Sequence, residues 1–201
     1  MAEIHEISEK DKELYAKYYE ENTAIQNDSV VLAGKRYVDV TYANRPVNSA
    51  YIQCSWFSPK QMKFMEEGLK ALGLNPTISL RYSHHPLSHQ YKDINVEEHP
   101  EVMDNLEWQQ ATFNMDVEAM KRHPFGVGLF MPSEPDEGQG FEQGYLYATH
   151  KPNLLVIPKD ETKVPINLMM IKNTQIITID KLQEFDFNTD LIYKPYRGKV
   201  F

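Results

Sequence analysis

Residues 126–145 read GVGLFMPSEPDEGQGFEQGY, and the fold turns on them. An apolar run from Val127 to Met131 has the length and character of a buried strand. Pro132, Pro135, Asp136, Gly138 and Gly140 then supply turn chemistry, and Phe141 to Thr149 can continue as a helix. A strand, a glycine-rich loop and a helix start form the usual place for a small-molecule site in an open α/β sheet. The embedded pattern is Asp136-x-Gly138-x-Gly140-x-Glu142. Glu142 is expected in the first helical turn, where the positive end of the helix dipole favours an ionised carboxylate. Such a carboxylate can attack a sugar carbon. The same residue types also serve simply as helix caps. A phosphate loop is excluded, because no Gly-Lys-Ser/Thr follows the glycines and two carboxylates would repel phosphate.

Outward from this stretch the pattern repeats. Ser49–Phe57 (SAYIQCSWF) predicts a first core strand, with Tyr51 and Trp56 either packing or lining a pocket. Ser58-Pro59-Lys60-Gln61 combines an N-cap, a proline at the first helical position and a capping-box glutamine. Met62, Met65, Leu69 and Leu72 form a helical stripe that Gly73 ends. Thr77 to Tyr82 predicts a second strand, so β-α-β and a parallel sheet are expected. Residues 83–100 form a long polar connection carrying His84, His85, His89 and His99, whose spacing matches no zinc signature. Gln90 and Tyr91 are placed to reach a ligand from it. Pro100 to Lys121 predicts one long helix, buried through Val102, Leu106, Phe113, Val117 and Met120, with Asp116 either on the rim of that stripe or directed toward the central loop. Asn153–Ile157 and Gln175–Ile179 predict the last strands. The aromatic tail, Phe185 to Phe201, is expected to dock.

The 201 residues suffice for one sizeable core, and 41% hydrophobic with 25% charged residues is ordinary for a soluble globular chain. A net charge of -8 argues against a general nucleic-acid surface. The single cysteine, Cys54, and the charged N-terminus, which lacks an apolar leader core, point to the cytoplasm. No apolar run approaches a membrane span. Residues 1–48 read as an N-terminal extension. A capping pattern at Ser8–Asp11 opens a helix to about Asn22, and Val30–Ala33 and Arg36–Tyr42 form a hairpin around Gly34-Lys35. Residues 49–201 read as the core domain. The fold class is thus α/β, a doubly wound, mostly parallel five-stranded sheet of flavodoxin or Rossmann-like type with a helix-plus-hairpin extension.

Several of these stretches together resemble the nucleoside 2-deoxyribosyltransferases, particularly the lactobacillus-type enzymes. They include Ser55–Phe57 (SWF), Asn75–Ile78 (NPTI), Gln90–Lys92 (QYK), Glu98–Glu101 (EHPE), Asn114–Asp116 (NMD), Asp136–Tyr145, Leu154–Pro158, Pro165–Met169 (PINLM) and Phe185–Asn188. The similarity runs over residues 50–201. The resemblance implies base exchange on 2′-deoxyribose by two displacements, without a cofactor or metal. It implies Glu142 as nucleophile, Tyr51 as the group orienting it, and Asp116 as the residue that protonates the departing base. Asp136 would bond the sugar or base region, and Gln90 and Trp56 would shape the base pocket. Asn167, Met169 and the terminal carboxylate of Phe201 would complete the site, the first two from a neighbouring subunit of a dimer-based hexamer. Deoxynucleosides and free nucleobases are the implied partners, with no nucleic acid polymer and no membrane. Two departures stand out: Gln53 and Cys54 occupy places where the family often has small residues, which would put Gln53 near the pocket floor, and Phe201 stands where tyrosine is common. Two alternatives stay open, a deoxynucleoside or deoxynucleotide N-glycoside hydrolase using the same Glu142, and a non-catalytic nucleoside-binding protein.

Overall fold

The computed structural model describes residues 48–80, 100–171 and 174–201, with the backbone of three short strands between residues 25 and 39. Those strands, β1 (Ile25–Gln26), β2 (Ser29–Leu32) and β3 (Lys35–Asp39), form an antiparallel meander. Leu32 pairs with Lys35, so Lys35, expected in the turn, lies on β3 instead. The expected helix before them, the histidine-bearing connection and Gln90 lie outside the described residues.

The core sheet is parallel, in the order β4 (Tyr51–Cys54), β5 (Gly126–Leu129), β6 (Asn153–Ile157), β7 (Thr174–Thr178). Among the described residues four strands stand where five were expected. The Thr77–Tyr82 segment contributes, among the described residues, only a parallel bridge between Ile78 and Asn48. Asn75 and Thr77 spend their polar groups on the C-terminal segment instead: Asn75 Nδ2 donates to the Leu182 and Phe185 carbonyls, and Thr77 Oγ1 accepts from the Phe187 amide. The Tyr51 amide donates to the Phe125 carbonyl, whereas the Asn48 carbonyl accepts from Ser79. With the two-residue period of a strand, Asn48 therefore faces the edge opposite β5. The chain steps outward from β4 and then returns to its other side, which opens a crevice beyond the C-terminal ends of β4 and β5.

Alternation along the strands sorts the two sheet faces. Ala50, Ile52 and Cys54 join Val127, Leu129, Leu154 and Val156 on one face. Helix α1 (Pro59–Leu74) covers that face with Phe64, Met65, Leu69 and Leu72. Each buried leucine contributes roughly 1.5–3 kcal/mol. The tail adds Leu182, Phe185 and Phe187 to the same core, with Phe187 stacked 5.6 Å from Phe125. Ser58 caps α1 by accepting from the Gln61 amide, as its sequence requires, and Gln61 Oε1 reaches back to the Phe57 amide. The helix ends at Leu74, with Asn75 as C-cap.

The other face carries Tyr51, Gln53, Gly126, Gly128 and Leu155, beneath α3 (Glu137–Ala148), which packs beside α2 (Leu106–Arg122). A Cβ at Gly126 would lie 2.5 Å from the Leu146 side chain, so the glycine lets α3 approach the sheet closely. The expected long helix is broken. Pro100–Asp104 is a 3-10 turn, and Asn105 starts α2 afresh by accepting from the Trp108 amide. Leu106 is 78% and Phe113 51% exposed, so the expected buried stripe is only partly covered. After β6, a 3-10 turn (Lys159–Glu161) and the short helix α4 (Leu168–Ile171) lead to β7. The chain end pairs along this segment, Ile166 bridging Val200. Phe185 and Phe187 are buried as expected, but the Tyr193 and Phe201 rings are exposed. Among the described residues no helix is long and apolar enough to cross a membrane.

Candidate active site

The site is assembled from the ends of β4 and β5 and the flanks of α2 and α3. Asp136 is the N-cap of α3: its Oδ1 accepts from the Gly138 amide at 2.8 Å. Its Oδ2 accepts from the Ser55 hydroxyl, just past β4, at 2.7 Å. Capping begins the helix four residues before Phe141, so Glu142 lies in the second turn rather than the first. The dipole benefit, which fades beyond the first turn, largely misses it.

The Tyr51 hydroxyl, wholly buried, donates to Glu142 Oε1 at 2.5 Å. Burial, opposed by the Tyr51 hydrogen bond and aided by the negative Asp116 and Asp136, raises the Glu142 carboxyl to about 8. The expectation of a dipole-stabilised, ionised carboxylate is thereby reversed: desolvation and two like charges outweigh the helix terminus. Tyr51 is itself raised well above the usual phenol range, first by burial and then by Glu142 and Asp116. These couplings place Asp116, on α2, and Asp136 in the electrostatic reach of Glu142. Four of the expected residues therefore converge: Tyr51, Asp116, Asp136 and Glu142.

Trp56 follows β4 at the crevice, half-buried, with its ring 5.3 Å from that of Phe57. Asn167, Met169 and Phe201 gather elsewhere. With Asp136, they border a cleft of about 600 Å³ lined along α3 by Gly140, Gln143, Gly144 and Tyr147. Those four share one helix face, and Glu142 projects roughly 150° around the axis from it. Asn167 Oδ1 accepts from the Met169 amide at 2.9 Å, and Met169 is 84% exposed. Gln53 is also displaced from its expected place. It is fully buried beneath α3, bonded to Gln143 at 2.8 Å, rather than at the pocket floor. Cys54 faces the α1 core, and burial holds its thiol well above the usual range.

Sequence reasoning passes over Ser55 and over a clamp on the loop between β5 and α3. Buried Glu161 accepts from the Ser133 amide at 2.9 Å, the Ser133 hydroxyl at 2.5 Å and Lys60 Nζ at 2.6 Å. Glu134 accepts from the Ser58 hydroxyl at 2.5 Å, and its carbonyl accepts from Gln61 Nε2 at 3.0 Å. Two distant segments, the start of α1 and the turn after β6, thus fix the loop that delivers Asp136. The sole advance signal is that Ser133 and Glu134 lie in a loop flanked by two prolines.

The family model for nucleoside 2-deoxyribosyltransferase matches residues 50–174, which carry all four converging side chains. The chain belongs to the nucleoside 2-deoxyribosyltransferase family. A nucleoside deoxyribosyltransferase of Lactobacillus leichmannii is 38% identical over 157 residues, spanning 78% of this chain and 99% of that enzyme. One from Lactobacillus johnsonii is 42% identical over 147 residues, covering 73% of this chain and 98% of its own. A solved structure of a 2-deoxyribosyltransferase from Bacillus psychrosaccharolyticus superposes with a TM-score of 0.56 at 24% identity, covering 74% of this chain and 98% of that one, and shares its fold. Family membership and the parallel α/β fold agree with the resemblance, and the deoxyribosyltransferase match stops short of residues 1–48.

Proposed function

We propose that this chain transfers a 2′-deoxyribosyl group between nucleobases through a covalent intermediate on Glu142. In the first displacement a Glu142 oxygen bonds to the anomeric carbon. The carbon–nitrogen bond breaks, and its electron pair leaves with the base, which takes, through Asp116, the proton that Glu142 gives up as it ionises. In the second, a ring nitrogen of the incoming base attacks the same carbon, its proton returns to Asp116, and the Glu142 carboxylate departs. Two inversions give net retention. Tyr51 holds Glu142 in line and carries hydrogen-bond stabilisation to its oxygen as the carboxylate reforms. Asp136, fixed through Ser55, meets the sugar or base, and Trp56 and Gln90 shape the base pocket.

The observation that carries this reading is the Tyr51–Glu142 bond beside the Asp116 and Asp136 carboxylates, in a chain of this family. Asn167, Met169 and Phe201 act in the site of a neighbouring subunit. What supports this is their exposure and their location on the side of α3 away from the Glu142 of their own chain. A monophosphate hydrolase would want Ser133 free for phosphate, but its hydroxyl is committed to Glu161. Incubating the protein with 2′-deoxyinosine and adenine, and separating the products by chromatography, tests the reading. The expected product is 2′-deoxyadenosine. Free deoxyribose formed equally with and without adenine would make it a hydrolase, and no turnover a binding protein.

A further inference from the structure

Tyr51 and Gln53 stand two residues apart on β4, on the sheet face that α3 covers, and their partners on α3 are consecutive. Tyr51 donates to Glu142 at 2.5 Å, and Gln143 Nε2 donates to Gln53 Oε1 at 2.8 Å. Gln143 Oε1 in turn accepts from the Thr174 hydroxyl on β7 at 3.0 Å, so one side chain ties α3 to both flanks of the sheet. The sheet is shaped to admit this amide. Gln53 pairs in register with Gly128, where a Cβ would come within 2.9 Å of Gln53 Oε1.

We propose that Gln53 and Gln143 are positioning residues for the transfer reaction, a second tie between β4 and α3 that holds the Glu142 carboxyl at the Tyr51 hydroxyl. The inference rests on the functional reading above and goes beyond it, since neither side chain touches the reacting atoms. Stability alone is a poor reason for the pair. Gln53 is wholly buried and its Nε2 has no hydrogen-bond partner, a cost that an apolar side chain of the same size would not carry. The gain is geometric. The strut fixes how far α3 sits from β4 at the residue next to the nucleophile, and displacement at a sugar carbon tolerates little misplacement.

The test replaces both amides with apolar groups of similar volume, Gln53→Leu with Gln143→Met. The expected result is an unchanged or higher Tm, kcat lower by about tenfold and KM within about twofold. In a Tyr51→Phe background the same pair of changes is expected to lower kcat by less than about twofold, because the tie then has no phenol–carboxyl bond to hold. Should the double variant not fold, Gln143→Met alone is held to the same kinetic criteria, with a lower Tm expected because Gln53 Oε1 then loses its donor. A kcat within about twofold of the parent, or an equal loss with and without the Tyr51 hydroxyl, overturns the inference while leaving the transferase reading in place. A parent protein that exchanges no bases overturns both.

Discussion

Glu142 must be a carboxylate to attack a sugar carbon, yet its surroundings hold the proton on, with the carboxyl raised to about 8 by burial, Asp116 and Asp136. The reaction consumes that proton, passed through Asp116 to the departing base, so the account predicts a descending limb centred near pH 8 in the pH profile of kcat/KM. Asp116→Asn removes one like charge and is expected to move that limb toward acid, while also slowing departure of the base. A limb in the ordinary carboxylate range for both proteins would contradict the desolvated nucleophile. The stability consequence has a definite sign. The folded chain keeps a proton that the unfolded chain releases, so stability falls as pH rises from about 4.5 to about 8. Tyr51→Phe removes the hydrogen bond to this group, and a loss of about 1.5–3 kcal/mol in kcat is expected, with little change in KM. Steady-state kinetics of the purified variant check it, and unchanged turnover would reduce Tyr51 to packing. The place of Glu142 on the helix that follows the glycine-rich loop was legible in the sequence, from its spacing to Asp136 and Gly140. The ionisation of Glu142 was not, because desolvation depends on α2 and β4 arriving from far along the chain.

At the scale of elements, the loop from Phe130 to Asp136 is held by Glu161, Lys60, Ser58 and Gln61 rather than by its own turn chemistry. Glu161→Gln keeps the shape but removes the charge. An expected loss of about 1.5 kcal/mol would lower Tm by several degrees and, through a loosened Asp136, raise KM. Thermal unfolding beside KM measures both; an unchanged Tm would show the clamp to be idle. Burial raises the Glu161 carboxyl, but Lys60 and the Ser133 hydroxyl and amide outweigh it and set it below its usual range. The clamp's contribution is therefore present above the ordinary carboxylate range and lost as pH falls through the lowered value. Local chemistry made Ser58-Pro59 and β6 readable, because caps and apolar runs act within a few residues. The break at Asn105 carried a signal in its capping side chain, but the apolar residues on both sides read as one stripe. Among its described residues the expected second strand shows only the bridge at Ile78, because apolarity at Ile78 and Leu80 reports burial, which comes mostly from the core beneath α1 and the tail.

For the whole molecule, helices on both faces of a four-stranded parallel sheet leave the Glu142 carboxyl on one side of α3 and a largely apolar cleft on the other. The family and fold were legible because the motifs span most of the chain. Which residues share a site within one subunit was not, since Asn167 and Glu142 are separated by a helix whose orientation only packing determines. Shared sites make a specific prediction. Glu142→Ala and Asn167→Ala should each be inactive alone, and mixing with subunit exchange should restore activity at up to about a quarter of wild-type sites in an isologous dimer. A fully active monomer by light scattering, or no recovery on mixing under conditions that exchange subunits, would place Asn167 outside a shared site.

The central claim is the covalent deoxyribosyl link to Glu142. Its most direct measurement is the mass of the intact protein after brief reaction with 2′-deoxyinosine and an acid quench, followed by peptide mapping. The account predicts a gain of one deoxyribosyl group on the peptide containing Glu142, discharged by added adenine and absent from Glu142→Ala, whose exchange rate falls by about a thousandfold or more. Undiminished exchange by Glu142→Ala, or an adduct on another residue, would contradict it.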